Sequence, residues 1–157
     1  SALGEIIGLR LRSNAGKKFA WPGSHEGIFL PDFSCLPEKI LVCEGPTDCA
    51  ALLTVGIAAI GRPSNVGGKE ILVAFLRKNS VRQIGILRDR DENPRGLVNT
   101  LRGAQDLGRA LVKFSLVKIF APPRHKDARD WITAGAGRDE VLSVWKNARS
   151  LSAGMML

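Results

Sequence analysis

The chain has no tyrosine, only two histidines and only three cysteines in 157 residues. Without tyrosine, a mechanism that needs a covalent link through a phenolic oxygen has no nucleophile. Cys35, Cys43 and Cys49 form no Cys-x-x-Cys pair and have no matching histidines, which argues against a structural zinc site. Cys43 falls in a strand pattern and Cys49 in a helix pattern, where each suits a small buried hydrophobe. An odd, sparse cysteine count suits a reducing cytoplasm. No apolar run approaches transmembrane length, so no membrane partner is expected. Ser1-Ala2-Leu3-Gly4-Glu5 lacks the basic start and long apolar stretch of a signal peptide, and a start at serine suggests a piece of a longer protein. There is no Gly-x-Ser-x-Gly elbow or Ser-His-Asp set, no internal repeat and no low-complexity segment.

What is present is an ordinary globular composition, 45% hydrophobic, with a strong charge bias. Lysine and arginine total 23 against 15 acidic residues, a formal net charge of +8. Such an excess favours a polyanionic partner. No basic amphipathic helix with a bulky apolar face is evident, which directs the reading to nucleic acid before a membrane surface. A basic domain with no such partner is the plainer alternative.

From about residue 40 onward strand and helix patterns alternate. Short β-rich runs at 40–43, 57–60, 83–87 and 116–120 are separated by segments of helical periodicity. The segment 46–54 begins with proline at a helix start. In 68–78, Ile71, Leu72, Phe75 and Leu76 share one side; in 97–112, Leu97, Leu101, Ala104, Gly108 and Leu111 form a stripe. A last helix over 138–148 repeats the pattern with Val141, Val144, Trp145 and Ala148. This alternation predicts an α/β fold with a four-stranded parallel sheet and helices on both faces. Residues 1–36 read differently, as short strand-like runs at 6–12, 17–21 and 27–30 separated by turn residues. They predict a small antiparallel β-appendage, so the expected division is 1–36 and 37–157.

Three acidic clusters stand where hydrophobic strands run out. Ile40-Leu41-Val42-Cys43 leads into Glu44-Gly45-Pro46-Thr47-Asp48, and Ile84-Gly85-Ile86-Leu87 leads to Asp89-Arg90-Asp91-Glu92. Leu116 to Phe120 is followed by a basic loop and then Asp127 and Asp130. In a parallel sheet the carboxyl ends of the strands share one edge, where such folds build their sites. Carboxylates meeting there repel one another unless a cation intervenes, and hard oxygen donors suit Mg²⁺ or Mn²⁺. Asp89 and Asp91, as alternate residues at a strand end, are expected on one side with Arg90 turned away. Each cluster also has a plainer reading. Glu44 to Asp48 could be a turn with helix-favouring acids, Asp89 to Glu92 a solvated turn balanced by arginines, and Asp130 a cap for a helix starting near Trp131. His125 is a candidate phosphate contact in an otherwise unremarkable basic loop. The stretch Gly61 to Glu70 fails the P-loop pattern by one residue of spacing and by Glu70 at the Ser/Thr position, although a glycine-rich turn can still bind an anion.

Together these motifs resemble the Toprim domain of topoisomerases and primases. The resemblance covers roughly residues 38–135 and rests on Glu44-Gly45 after the first strand of the sheet and Asp89-Arg90-Asp91 after the third. Bacterial and phage-type primases are most similar, through Glu44-Gly-x-x-Asp48 and the late Lys126-Asp127-Ala128-Arg129-Asp130, which has one residue more than their Lys-Asp-Pro-Asp. Primases also precede the Toprim core with a small basic subdomain, as residues 1–36 do in reduced form. Their zinc-binding module and helicase part are not found in this chain, and the absent tyrosine disfavours the topoisomerase branch.

The resemblance implies a Rossmann-like Toprim fold and metal-dependent nucleotidyl transfer, namely RNA primer synthesis on single-stranded DNA in replication. It implies Glu44, Asp89 and Asp91 as catalytic residues around one or two Mg²⁺ or Mn²⁺ ions, with Asp48 and Asp127 as supporting ligands and Glu44 as an alternative proton relay. Arg90, Arg95, Arg124 and Lys126 are candidate phosphate contacts, and Arg10, Arg12 and Lys18 candidate template contacts. The implied partners are the template, nucleoside triphosphates and a replicative helicase. A Toprim-type nuclease using the same carboxylates, and a non-catalytic nucleic-acid-binding module, are the alternatives.

Overall fold

The computed structural model describes residues 5–33 and 36–152; Cys35 and the two termini lie outside the described residues. A two-stranded antiparallel hairpin, β1 (Arg10–Arg12) and β2 (Lys18–Ala20), comes first. The body follows as β3 (Lys39–Glu44), α1 (Gly45–Thr54), β4 (Ala59–Arg62), α2 (Lys69–Lys78), β5 (Gln83–Leu87), α3 (Pro94–Leu111), β6 (Leu116–Phe120), α4 (Ala128–Thr133) and α5 (Arg138–Asn147). The sheet order is β4-β3-β5-β6, all parallel, as the strand and helix alternation requires.

Strand alternation divides the core between two faces. Ile40, Val42, Ile60, Ile84, Ile86 and Val117 meet Leu72, Phe75 and Leu76 of α2 and Ala104, Leu107 and Leu111 of α3. Leu41, Cys43 and Ala59 point the other way, onto Cys49 and Leu52 of α1, Trp131 of α4 and Val141 and Trp145 of α5. Strands buried on both sides must be apolar throughout, which is why β3 reads as an unbroken Ile-Leu-Val-Cys run. In α3 the buried stripe is Thr100, Gly103, Ala104, Leu107, Gly108 and Leu111. The expected Leu97 and Leu101 are instead 38% and 39% exposed, because at 3.6 residues per turn they stand on the flank of that stripe.

The order places a switch point between β3 and β5. From β3 the chain crosses to β4 over the α1 face; from β5 it crosses to β6 over the α2/α3 face. Adjacent strands whose connections leave to opposite faces open a crevice at their carboxyl ends. Glu44 ends β3 and Asp89 follows β5, so topology puts both there.

Residues 26–33 run along the β4 edge. The run expected as a strand over 27–30 makes only an isolated antiparallel bridge, with Phe29 and Gly61 exchanging backbone hydrogen bonds of 2.7 and 3.0 Å. Side chains of Ile28, Leu30 and Phe33 pack on the α2/α3 face, and Glu26 accepts the Gly68 N–H at 3.1 Å. No helix among the described residues is long and apolar enough to cross a membrane.

Candidate metal and nucleic-acid site

Glu44 is the last residue of β3 and lies in register with Arg62, the last residue of β4. Both share the face of Ile60 and Val42, so the two side chains point toward α2 side by side. Gly45 then turns the chain with φ of 84°, a conformation open to glycine at little cost. Close packing also explains Gly61: a Cβ there would lie 2.5 Å from the Gly45 carbonyl oxygen. Asp48 follows in the first turn of α1 and is almost fully buried.

Asp89 lies beyond the end of β5 and is partly buried. Its carboxyl is pushed up to about 7, first by burial and then by the negative charges of Glu44, Asp48 and Asp127, with Lys126 opposing. Burial also raises Glu44, against the pull of Arg62, and Asp48 adds to the rise. Asp48 is raised by burial and by Asp127, and lowered by the Arg129 backbone N–H that it accepts. These four acids therefore form one electrostatic unit drawn from three strand-to-helix junctions.

Two of the four also have structural work. Asp127 is the N-cap of α4 and accepts the Asp130 N–H at 2.8 Å. Asp48 accepts the Arg129 N–H at 3.0 Å, binding α4 to α1. The helix thus begins at Ala128, and Asp127 supplies the cap expected of Asp130; Asp130 instead pairs with Arg129 at 3.1 Å. The physical reason is spacing: an N-cap bonds the N–H two or three residues on, and Asp127 stands three before Asp130.

Asp91 is placed differently. Because β5 ends at Leu87, strand alternation does not extend to Asp89 and Asp91. The Asp91 carboxylate accepts the Asn93 N–H at 2.9 Å and packs over Gly96, where a Cβ would collide with it. It lines a cleft of about 860 Å³ with Arg88, Arg90, Arg124, His125 and Lys126. Arg90 bridges the two walls: its N–H donates to the Lys126 carbonyl at 2.6 Å and its guanidinium donates to the Pro123 carbonyl. Arg95 is in the first turn of α3, where its N–H donates to the Asn93 side chain. Arg10, Arg12 and Lys18 are exposed on the hairpin.

Two residues were invisible to pattern reading. Arg62 is 3% exposed and donates to the Gly67 carbonyl at 3.2 Å; burial lowers its guanidinium below the usual range, opposed by Glu44 and Glu26. Arg129 is held above the usual range by its hydrogen bond to Asp130 and by the charge of Asp127, which it approaches at 3.6 Å. Neither role could be read without the strand register or the α1–α4 packing.

Among the described residues no three His, Cys, Asp or Glu side chains stand together as a ready-made metal cage. The donor set nevertheless fits a hard divalent cation. It is all carboxylate, carries surplus negative charge, and stands at an open sheet edge where a cation can keep part of its water shell.

The fold defined by this sheet, its switch point and the appended hairpin is that of primase catalytic cores. The chain is similar to the Escherichia coli primase catalytic core, with a TM-score of 0.69 and 18% identity, over 99% of this chain and 52% of that one. A DNA primase domain from Pseudomonas aeruginosa matches with a TM-score of 0.67 and 20% identity, over 96% and 50%. The DnaG primase catalytic domain bound to single-stranded DNA matches with 0.72 and 18%, over 98% and 51%. The chain thus spans about half the length of these structures. No family model and no curated protein matches it.

Proposed function

We propose that this chain is the metal-binding part of a primase-like nucleotidyltransferase that makes RNA primers on single-stranded DNA. The observation that carries the reading is the unit of four mutually repelling carboxylates at the switch point, with Asp89 pushed up to about 7, in a fold shared with primase cores. Glu44 and Asp89 would hold a divalent cation, with Asp48 and Asp127 supporting it. When bound, such an ion supplies charge neutralisation of the triphosphate and orientation of the attacking hydroxyl.

The chain's own residues divide the remaining work. Arg62 beside Glu44 favours the ionised carboxylate, and Lys126 does the same for Asp89. Arg90 fastens the β6–α4 loop to the β5–α3 loop, which keeps the basic side chains of the cleft near the acidic unit. Arg95, Arg124 and Lys126 are then suited to incoming phosphates, with Asp91 at the same cleft. The basic unit 1–36 would guide template to the body 37–157, and a replicative helicase would be the larger partner.

Incubating the protein with single-stranded DNA, labelled ribonucleoside triphosphates and Mg²⁺ or Mn²⁺ tests this. New oligoribonucleotides that disappear in Asp89→Asn and Glu44→Gln are expected. Shortened DNA in their place would transfer the same site to a nuclease. DNA binding with neither product and no metal dependence would leave a binding module.

A further inference from the structure

The edge of the sheet where the strands begin, opposite the acidic unit, carries a second opening. Register and alternation set Lys39, Gln83 and Leu116 in a first row, on the same face as Leu41, Gly85 and Lys118 in the row behind. Helix α5 crosses this face over the second row. The Trp145 indole lies on Gly85, where a Cβ would come within 2.7 Å of it, and the Lys118 ammonium donates to the Lys146 carbonyl at 2.5 Å. A groove of about 780 Å³ is left between the strand starts and α5, within the range of roughly 300–1,000 Å³ usual for occupied pockets. Leu116 is 47% exposed in it.

The groove is charged with one sign. Lys39, Lys118, Arg138 and Lys146 line it, and the acid beside them, Glu38, is paired with Arg82 at 3.5 Å. Arg138 donates to the Gly56 carbonyl, which fixes its guanidinium without neutralising it. Among the described residues none of the four cations forms an ion pair with a carboxylate. Between them the walls are apolar, through Ile57, Leu116, Leu142 and Trp145.

This mixture selects the class of occupant. A phosphate backbone is held by charge and gains little from aliphatic walls, while bases need an open aromatic face on which to stack. Trp145 offers no such face, being 9% exposed and pressed onto Gly85. A peptide matches both features: its carboxylates reach the cations at the rim, and a bulky apolar side chain fills the floor as an anchor. We propose that this groove is a docking site for an acidic peptide segment of a partner protein. One or two bulky apolar residues would seat between Leu116 and Leu142, with flanking carboxylates on Lys39 and Lys146. Crossing the sheet at about 4.8 Å per strand gives roughly 14 Å, enough for about four extended residues. The proposal does not depend on the metal site, which lies at the other edge of the sheet.

Panning a library of random dodecapeptides on the full chain tests this, with the selected peptides then measured by fluorescence anisotropy. Selected sequences are expected to set Asp or Glu around a bulky apolar residue, and their affinity is expected to fall with salt. Lys39→Glu with Lys146→Glu is expected to weaken binding by roughly 10- to 100-fold. Both side chains are exposed, so the thermal midpoint is expected to stay near that of the wild type. Leu116→Gln leaves the charge untouched and is expected to weaken binding by roughly 5- to 30-fold, with the salt dependence kept. If the charge reversal lowers the thermal midpoint, Leu116→Gln alone decides. Selection of no peptide, or of peptides without an acidic bias, overturns the proposal. So does equal binding to wild type and both variants. Displacement of the peptide by oligo(dT), with oligo(dT) binding lost in the charge-reversed protein, assigns the groove to nucleic acid and also overturns it.

Discussion

Replacing Asp89 with asparagine is expected to stabilise the metal-free protein at pH 8. The carboxyl is raised from 3.8 to about 7, so in the folded state its ionised form is disfavoured. Below about pH 4 both folded and unfolded chains hold the proton. Between about 4 and 7 the folded chain keeps a proton that the unfolded chain has lost, so stability falls as pH rises. Above about 7 the penalty is complete. At about 1.4 kcal/mol per pH unit the rise corresponds to at most roughly 4 kcal/mol. Asp89 is only partly buried, and solvent screening reduces this to about 1–2 kcal/mol. Urea denaturation in a chelator at pH 5 and pH 8 is the assay, and Asp89→Asn is expected to gain about 1–2 kcal/mol at pH 8 and much less at pH 5. In a thermal scan the gain at pH 8 corresponds to about 2–8 °C. Saturating Mg²⁺ or Mn²⁺ is expected to reverse the order, because the cation removes the repulsion in the wild type and finds a weaker site in the variant. Metal binding at pH 7 is also expected to release protons, measurable by calorimetry in two buffers. A variant destabilised equally at every pH, with no response to metal in either protein, would refute the reasoning that Asp89 belongs to a repelling carboxylate unit.

Asp127 can be separated into its two roles. Asp127→Ala should cost about 1 kcal/mol by denaturation through loss of the α4 cap, whereas Asp127→Asn should keep the cap, and both should weaken metal binding in a direct titration. Arg62→Met should cost about 1–3 kcal/mol by orphaning the Gly67 carbonyl; the loss should be larger at pH 8 than at pH 5, since ionised Glu44 then lacks its neighbouring positive charge. Gly61→Ala should cost about 1–3 kcal/mol, because the new methyl group meets a backbone oxygen that cannot move freely, and a denaturation midpoint equal to wild type would contradict that contact.

Local chemistry carried much of this protein. Apolar strands punctuated by Gly, Pro and acidic residues marked the α/β alternation, because strands covered on both faces must be apolar throughout and loops at their ends can hold charge. The same logic marked Glu44 and Asp89 as strand-end carboxylates, and turn residues between short strand-like runs marked the antiparallel appendage. Helix ends were less legible. Leu97 and Leu101 obeyed the periodicity of a buried stripe, yet they stand on the flank of the face that α3 buries through Thr100, Ala104, Leu107 and Leu111. Asp127 rather than Asp130 became the cap because the helix began one turn earlier than its aromatic residue suggested.

Relations between distant segments were settled only by tertiary structure. Sequence order does not say that β4 lies beside β3 and β5 on its other side, and that order alone sets Arg62 against Glu44 and opens the crevice that Glu44 and Asp89 share. Nor does it say that Asp91 turns to the start of α3 while Asp48 and Asp127 meet around α4. Periodicity records which face of an element is buried, since burial acts residue by residue. Charge coupling depends on distances across the sheet edge, and these exist only once the strands have been ordered.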